Sequence, residues 1–262
     1  MDSHHDFIRR ERKRIEEAHD DGLRHDAALL DHLVSGNGAA LPADVKADVL
    51  LGGIPRRRLL MFGGVAVASS AVIAACKGAT PSVQVVPATT SSTAFPPSTK
   101  DATILRTASS LEALAGAVYT KALATGLVKT TATSDLLKLF QSQHSQHGDL
   151  FQRATRTAGG MAFTDPNPVL MQQVAAPRLA ALMTEADVVA LAYDLEHLLA
   201  ATYQADIGTF DNPKFNTTTA SVGATEGRHV ALLAVISNKS ATGTPDGAFQ
   251  VDTDAVKPST GV

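Results

Sequence analysis

One pattern occurs twice in this chain and leaves few folds open to it. Leu111-Glu112-x-Leu114 is followed by Tyr119, seven residues after the glutamate, and Leu195-Glu196-x-Leu198 is followed by Tyr203 at the same spacing. Seven residues are two helical turns, so each Glu and Tyr share a face of a helix. Each copy leads to a pair at i,i+3: His144-x-x-His147 with Leu150 beyond it, and Glu226-x-x-His229 with Leu232 beyond it. The gaps are 32 residues from Glu112 to His144 and 30 from Glu196 to Glu226. Side chains three apart on a helix point the same way. Two such helices and two single glutamates can therefore converge on one point, which is how a carboxylate–histidine metal centre is built inside a bundle.

Four helical segments carry the pattern. The first is expected over about 101–125, stopped by Gly126. The second begins near Ser134, a good N-cap, and stops at Gly159-Gly160. The third starts at Thr184 with Asp187 as its capping-box partner, and stops near Gly208. The fourth starts after Pro213, near Asn216, and fades near Asn238. Short links make the first two and the last two helices antiparallel neighbours. Between the second and third lies a long connection with Pro166, Pro168 and Pro177, whose apolar stretch from Val169 to Met183 is expected to lie as a short helix across the bundle. No run alternates as a strand does. The fold class is all-α, a four-helix bundle with one long crossover between helices two and three.

Scarcity sharpens the ligand set. After Cys76 the only glutamates are Glu112, Glu185, Glu196 and Glu226, and three of these four fall on the pattern. Within 101–240, so do three of four histidines and two of three tyrosines. His197 points about 100° away from Glu196 and is expected to face the surface or a partner.

These four helices resemble the ferritin-like superfamily over residues 101–240, and in particular its exported members, which include desiccation-associated proteins. The resemblance implies that Glu112 and His147 hold one metal, Glu196 and His229 the other, and that Glu226 bridges. Tyr119 and Tyr203 are read either as hydrogen-bond donors to the ligand carboxylates or as packing groups. The chain departs from the family pattern at His144, where a second bridging glutamate is expected. Three carboxylates and three imidazoles leave residual positive charge around two divalent ions. The resemblance implies iron or manganese; the extra imidazole moves preference toward zinc, copper or nickel. A mixed or single-metal centre stays open.

The chain before the bundle reads as an export device. Arg56, Arg57 and Arg58 open an uncharged run of 17 residues from Leu59 to Ala75, and Ile73-Ala74-Ala75-Cys76 follows. A basic start, a short apolar stretch and small residues before a cleavage point describe a secretory signal. Arg56 and Arg57 resemble a twin-arginine signal, and Cys76 stands where a lipobox cysteine is acylated. An uncleaved signal anchor is the alternative. Residues 77–100 read as a Ser/Thr/Pro-rich linker and 241–262 as a disordered tail. Asp6 to Leu33 reads as a charged amphipathic helix, in a segment holding His4, His5, His19, His25 and His32. Residues 1–55 are thus a solvated cytoplasmic extension, the product of a start codon set too far upstream, or a cytoplasmic helix binding a metal or partner.

The rest of the sequence narrows the function classes. One cysteine excludes an intrachain disulfide framework and a thiolate-rich zinc site, and a net charge of −3 gives no case for nucleic acid. There is no Gly-rich phosphate loop, no Gly-x-Ser-x-Gly elbow and no cysteine nucleophile. Two functions remain. One is an exported metal-binding bundle on the outer face of the cytoplasmic membrane or in the cell envelope, performing di-metal redox chemistry of ferroxidase or peroxide-consuming type. The other is a non-enzymatic envelope lipoprotein, a binding or scaffolding module with a degenerate site. Expected partners are the membrane, through a lipid anchor or uncleaved signal, and a second copy of the chain.

Overall fold

The computed structural model describes residues 2–35, 95–237 and 255–262, with side chains in the first helix described for residues 6–24. Arg56, Arg57, Cys76 and most of the expected linker lie outside the described residues. The helices are α1 (Asp2–Ser35), α2 (Thr99–Ala124), α3 (Thr131–Thr157), α4 (Pro168–Leu170), a π-helical turn (Met171–Ala175), α5 (Ala176–Ala180), α6 (Glu185–Asp206) and α7 (Lys214–Ile236); no strand occurs among the described residues. The all-α bundle expected from the sequence is present. As the short links require, α2 packs on α3 and α6 on α7.

Leu105, Leu111, Leu136, Leu137, Phe140, Leu150, Phe151, Leu199 and Leu233 are fully enclosed along the inner faces of α2, α3, α6 and α7. Each contributes about 1.5–3 kcal/mol of apolar burial. The long crossover runs through α4, the π turn and α5. It buries Leu170, Met171 and Leu179 against the core and is pinned to α6 by the 2.6 Å ion pair between Arg178 and Asp194. Asn167 caps its start: its Oδ1 accepts from the Leu170 amide at 3.1 Å, while its Nδ2 donates to Ser110 Oγ on α2 at 2.9 Å.

Helix termini follow the expected punctuation with one exception. Thr184 and Asp187 form the full capping box of α6, and Gly126, Gly159 and Gly208 all adopt positive φ beyond the ends of α2, α3 and α6. Gly159 has a second constraint, since a Cβ there would come within 2.6 Å of the Pro97 side chain. The exception is α3, which begins at Thr131 rather than near Ser134. No side chain of its own caps it. Instead Glu185, from the start of α6, accepts from the amides of Lys129 and Thr130 at 2.8 and 3.0 Å. A carboxylate from another helix thereby holds the N-cap residue Thr130 and the residue before it, fixing where α3 begins.

Two segments differ from the sequence expectation. α1 is not wholly solvated: Ile8, Ile15 and His19 are buried, and the helix packs on α3 and α7. Of the expected tail, 241–254 lie outside the described residues, but the last eight residues pack on the bundle. The Val256 amide donates to Thr202 Oγ1 at 2.9 Å, the Ser259 amide to Thr107 Oγ1 at 2.9 Å, and Asn167 Nδ2 to the Thr260 carbonyl at 2.6 Å. The bundle's own polar groups hold this segment, so its lack of an apolar period did not reveal it. No described helix is long and apolar enough to cross a membrane.

Candidate metal centre

Each of the four bundle helices brings its pattern residues to one buried locus. Glu112 comes from α2, His144 and His147 from α3, Glu196 from α6, and Glu226 and His229 from α7; none is more than 1% exposed. Their donor atoms form two overlapping sets, each within 4.8 Å. Glu112, His144, His147 and Glu226 make one; His144, Glu196, Glu226 and His229 make the other. All six residues singled out by the sequence are present, and both sets share Glu226 and His144.

The contacts run between helices. His144 reaches Glu112 Oε2 through Nδ1 at 2.8 Å and Glu196 Oε1 through Nε2 at 3.0 Å. His147 Nδ1 stands 2.8 Å from Glu226 Oε1, and His229 Nδ1 stands 2.9 Å from Glu226 Oε2 and 3.3 Å from Glu196 Oε2. Tyr119 donates its hydroxyl to Glu196, and Tyr203 donates its hydroxyl to Glu112. The sequence placed each tyrosine on the face of its own glutamate; the bundle pairs it with the glutamate of the other hairpin.

The surroundings are apolar. Phe140 stacks on His229 at 3.7 Å between ring centroids, Tyr119 lies over His144 at 5.3 Å, and Phe151 lies 5.3 Å from Tyr203. Charge within this shell governs protonation. Burial alone would raise Glu112, but His147 and His144 beside it bring it down to about 2. Burial likewise opposes ionisation of Glu196, and His144 and His229 override it, holding the carboxyl well below its usual range. Conversely, burial would discharge the imidazoles, yet Glu226 and Glu112 lift His147 to about 9, and the carboxylates raise His144 and His229 as well. Burial and the adjacent carboxylates push both tyrosines well above 10, so they remain donors.

The donor set fits a transition metal. Neighbouring donors around an ion held at about 2.1 Å lie about 3 Å apart in octahedral and about 3.4 Å apart in tetrahedral geometry, and the Glu226 oxygens stand 2.8 and 2.9 Å from His147 and His229, near the octahedral spacing. Yet both Glu226 oxygens and His147 Nδ1 are buried without a hydrogen-bond partner. Close approach without hydrogen-bond alignment is compatible with an ion shared between these atoms, and without one the raised imidazoles pair with Glu226 by charge alone. The set of nitrogen and oxygen donors suits iron, manganese, zinc and copper alike.

Two further residues belong to the locus and were not found from the sequence. Gln143 precedes His144 on α3, and its Oε1 lies 2.7 Å from His229 Nε2. A glutamine one residue from a ligand pair gives no pattern to read. His19 on α1 has its ring centroid 5.0 Å from that of His147 and its Nε2 buried without a partner. Burial, then His147, bring its pKa down to about 4. It stood among five scattered histidines, with no signal to tell them apart. His197 is half-buried on α6 beside Tyr193, at 6.2 Å between rings, outside both donor sets.

Comparison with curated proteins and with solved structures finds no match. A family model for the ferritin-like domain matches residues 100–239, more than half of the chain and the span that holds α2, α3, α6 and α7. With four helices in the expected order, one long crossover and the carboxylate–histidine cluster at their centre, the chain belongs to the ferritin-like domain family.

Proposed function

We propose that this is an exported, membrane-anchored ferritin-like protein whose bundle core holds one or two transition-metal ions, and that it acts in metal or oxygen redox chemistry of a protective kind. Glu226 carries the reading. It is a buried carboxylate common to both donor sets, and its two oxygens have no hydrogen-bond partner although imidazoles stand at 2.8 and 2.9 Å. His144 argues that the two sets are unequal. A neutral imidazole has one lone pair, and its Nδ1 faces Glu112 while its Nε2 faces Glu196. Only one set at a time has all four donors, so one ion is held tightly and a second weakly.

A bound ion supplies a Lewis acid and, where the metal is redox-active, electrons for oxygen or peroxide. The chain supplies the rest. Phe140 and Phe151 help exclude bulk water; Tyr203 holds Glu112 Oε1 so that Oε2 faces His144, while Tyr119 shares Glu196 Oε1 with His144 and leaves Oε2 to His229. Export and anchoring rest on Arg56, Arg57 and Cys76. A twin-arginine route carries folded proteins and lets an ion load before transport, which suits a buried centre. The lipid on Cys76 and a second copy of the chain are the partners this reading proposes.

Retention after dialysis tests it. Protein loaded with zinc, manganese, ferrous iron or copper should keep one ion per chain, and Glu226→Ala or His147→Ala should abolish retention; unchanged retention in both variants contradicts metal binding. Oxygen uptake with ferrous iron then tests redox turnover. One observation favours the scaffolding alternative: His144 bonds Glu112 through one ring nitrogen and Glu196 through the other, so both nitrogens are already partnered by carboxylates. On that reading the wild type itself retains no ion after dialysis, and the variants change stability alone.

A further inference from the structure

α1 sits against the same cluster, and the six-donor assignment makes no use of it. Ile8, Ile15 and His19 are each no more than 4% exposed. Their spacing places them on one face of the helix. One turn beyond, Gly22 passes so close to α7 that a Cβ there would lie 3.0 Å from Ser221 Oγ. The other faces are charged, and their pairs stay within α1: Arg14 with Glu11 at 2.7 Å, Arg24 with Asp21 at 2.5 Å. Among the described side chains, docking on α3 and α7 rests on Ile8, Ile15, Leu23 and one histidine.

That histidine is the unusual part. A buried imidazole nitrogen is normally partnered. His19 pairs only through Nδ1, at 3.4 Å from the exposed Asp20, while its Nε2 is buried with nothing to bond; its ring lies 5.0 Å from that of His147, just outside the two donor sets. A stripe made only to dock would place an apolar side chain there. A nitrogen is useful at that point if an ion lies within reach.

We propose that α1 is a removable cover of the metal centre, fastened by His19, whose Nε2 joins the donors around His147. The inference rests on the metal reading above and adds to it a device that couples ion retention to the N-terminal helix. An ion held through His19 adds a polar fastening to the apolar one made by Ile8, Ile15 and Leu23. On the export reading the cover also has a place in time. α1 precedes Arg56 and Arg57 and the bundle follows Cys76. Cover and bundle then share a compartment before transport and part company after it.

Hydrogen exchange and zinc release on the full-length protein test the cover, with zinc(II) as the probe. Zinc should slow amide exchange over residues 6–24 roughly tenfold, and His19→Ala should lose that slowing and release zinc to a chelator roughly tenfold faster. Ile15→Asp leaves every candidate donor in place and should speed release likewise by undocking α1. A wild-type protein that retains zinc with no change in exchange over 6–24, or equal release rates in wild type and both variants, overturns the cover and leaves the metal reading standing. A wild-type protein that retains no zinc overturns the metal reading, and the cover with it.

Discussion

The hydroxyl of Tyr119 donates to Glu196, the glutamate of the opposite hairpin, and not to Glu112 two turns away on its own helix. Tyr203 returns the same bond to Glu112. The two halves of the repeat thus lock each other's ligands. Tyr203→Phe should leave Glu112 Oε1 unpaired and destabilise the metal-free protein by about 1–3 kcal/mol, and Tyr119→Phe should cost less because Glu196 Oε1 keeps its bond to His144. Each should also weaken metal affinity roughly tenfold or more. Urea unfolding and competition with a chromophoric chelator measure both, and the larger stability loss is expected for Tyr203→Phe.

The same reciprocity holds at the helix starts. Asp101 and Glu185 each lie eleven residues before a pattern glutamate. Asp101 on α2 accepts from the amides of Asp211 and Asn212 in the α6–α7 link at 2.7 and 2.9 Å, and Glu185 on α6 does the same for the α2–α3 link. Asp101→Ala should cost about 1–3 kcal/mol, because it leaves two amides in a largely buried setting unpaired. Glu185→Ala should cost less, since its side chain is partly exposed. Urea midpoints of the two variants check the order.

Protonation gives the metal-free bundle a stability plateau. His147 is lifted from 6.5 to about 9, so its ion pairs stabilise the fold fully below pH 6.5 and are lost as pH rises through 9. Glu112 is lowered from 4.5 to about 2, so its contribution is present above pH 4.5 and lost as pH falls through 2. The metal-free protein should be most stable between pH 4.5 and 6.5 with respect to these groups. Metal displaces the imidazole protons, so loaded protein should keep its thermal midpoint from pH 6.5 to 9 while metal-free protein loses several degrees.

Restoring a carboxylate at His144 tests the unequal sets. His144→Glu should raise the retained ion count from one to two per chain with manganese or ferrous iron, since four carboxylates neutralise two divalent ions. An unchanged count would show that another feature limits the second ion.

Much of the centre was legible because chemistry-bearing residues are rare in this bundle. Glu112, Glu196, Glu226, His147 and His229 repeat at helical spacing among alanines and leucines, and a buried charge there has few uses. Helix ends were readable where a residue caps its own helix, as Thr184 does. They were not where Glu185 caps α3 from a distance, since such a bond has no local pattern. The eleven-residue offset of Asp101 and Glu185 was in the sequence, but an acid near a helix start is common and its target lay on another hairpin. The helix α1 was legible, but its docking was not, for the same reason: two isoleucines and a histidine in a charged helix say little until α3 and α7 are placed beside them.

The most direct test is an anomalous-difference map of crystals grown with zinc. The account predicts a strong peak within bonding distance of Glu226 and of at least one of His147 and His229, in the space bounded by Glu112, His144 and Glu196. A map without a peak among these six side chains, in protein shown to carry zinc, would contradict it.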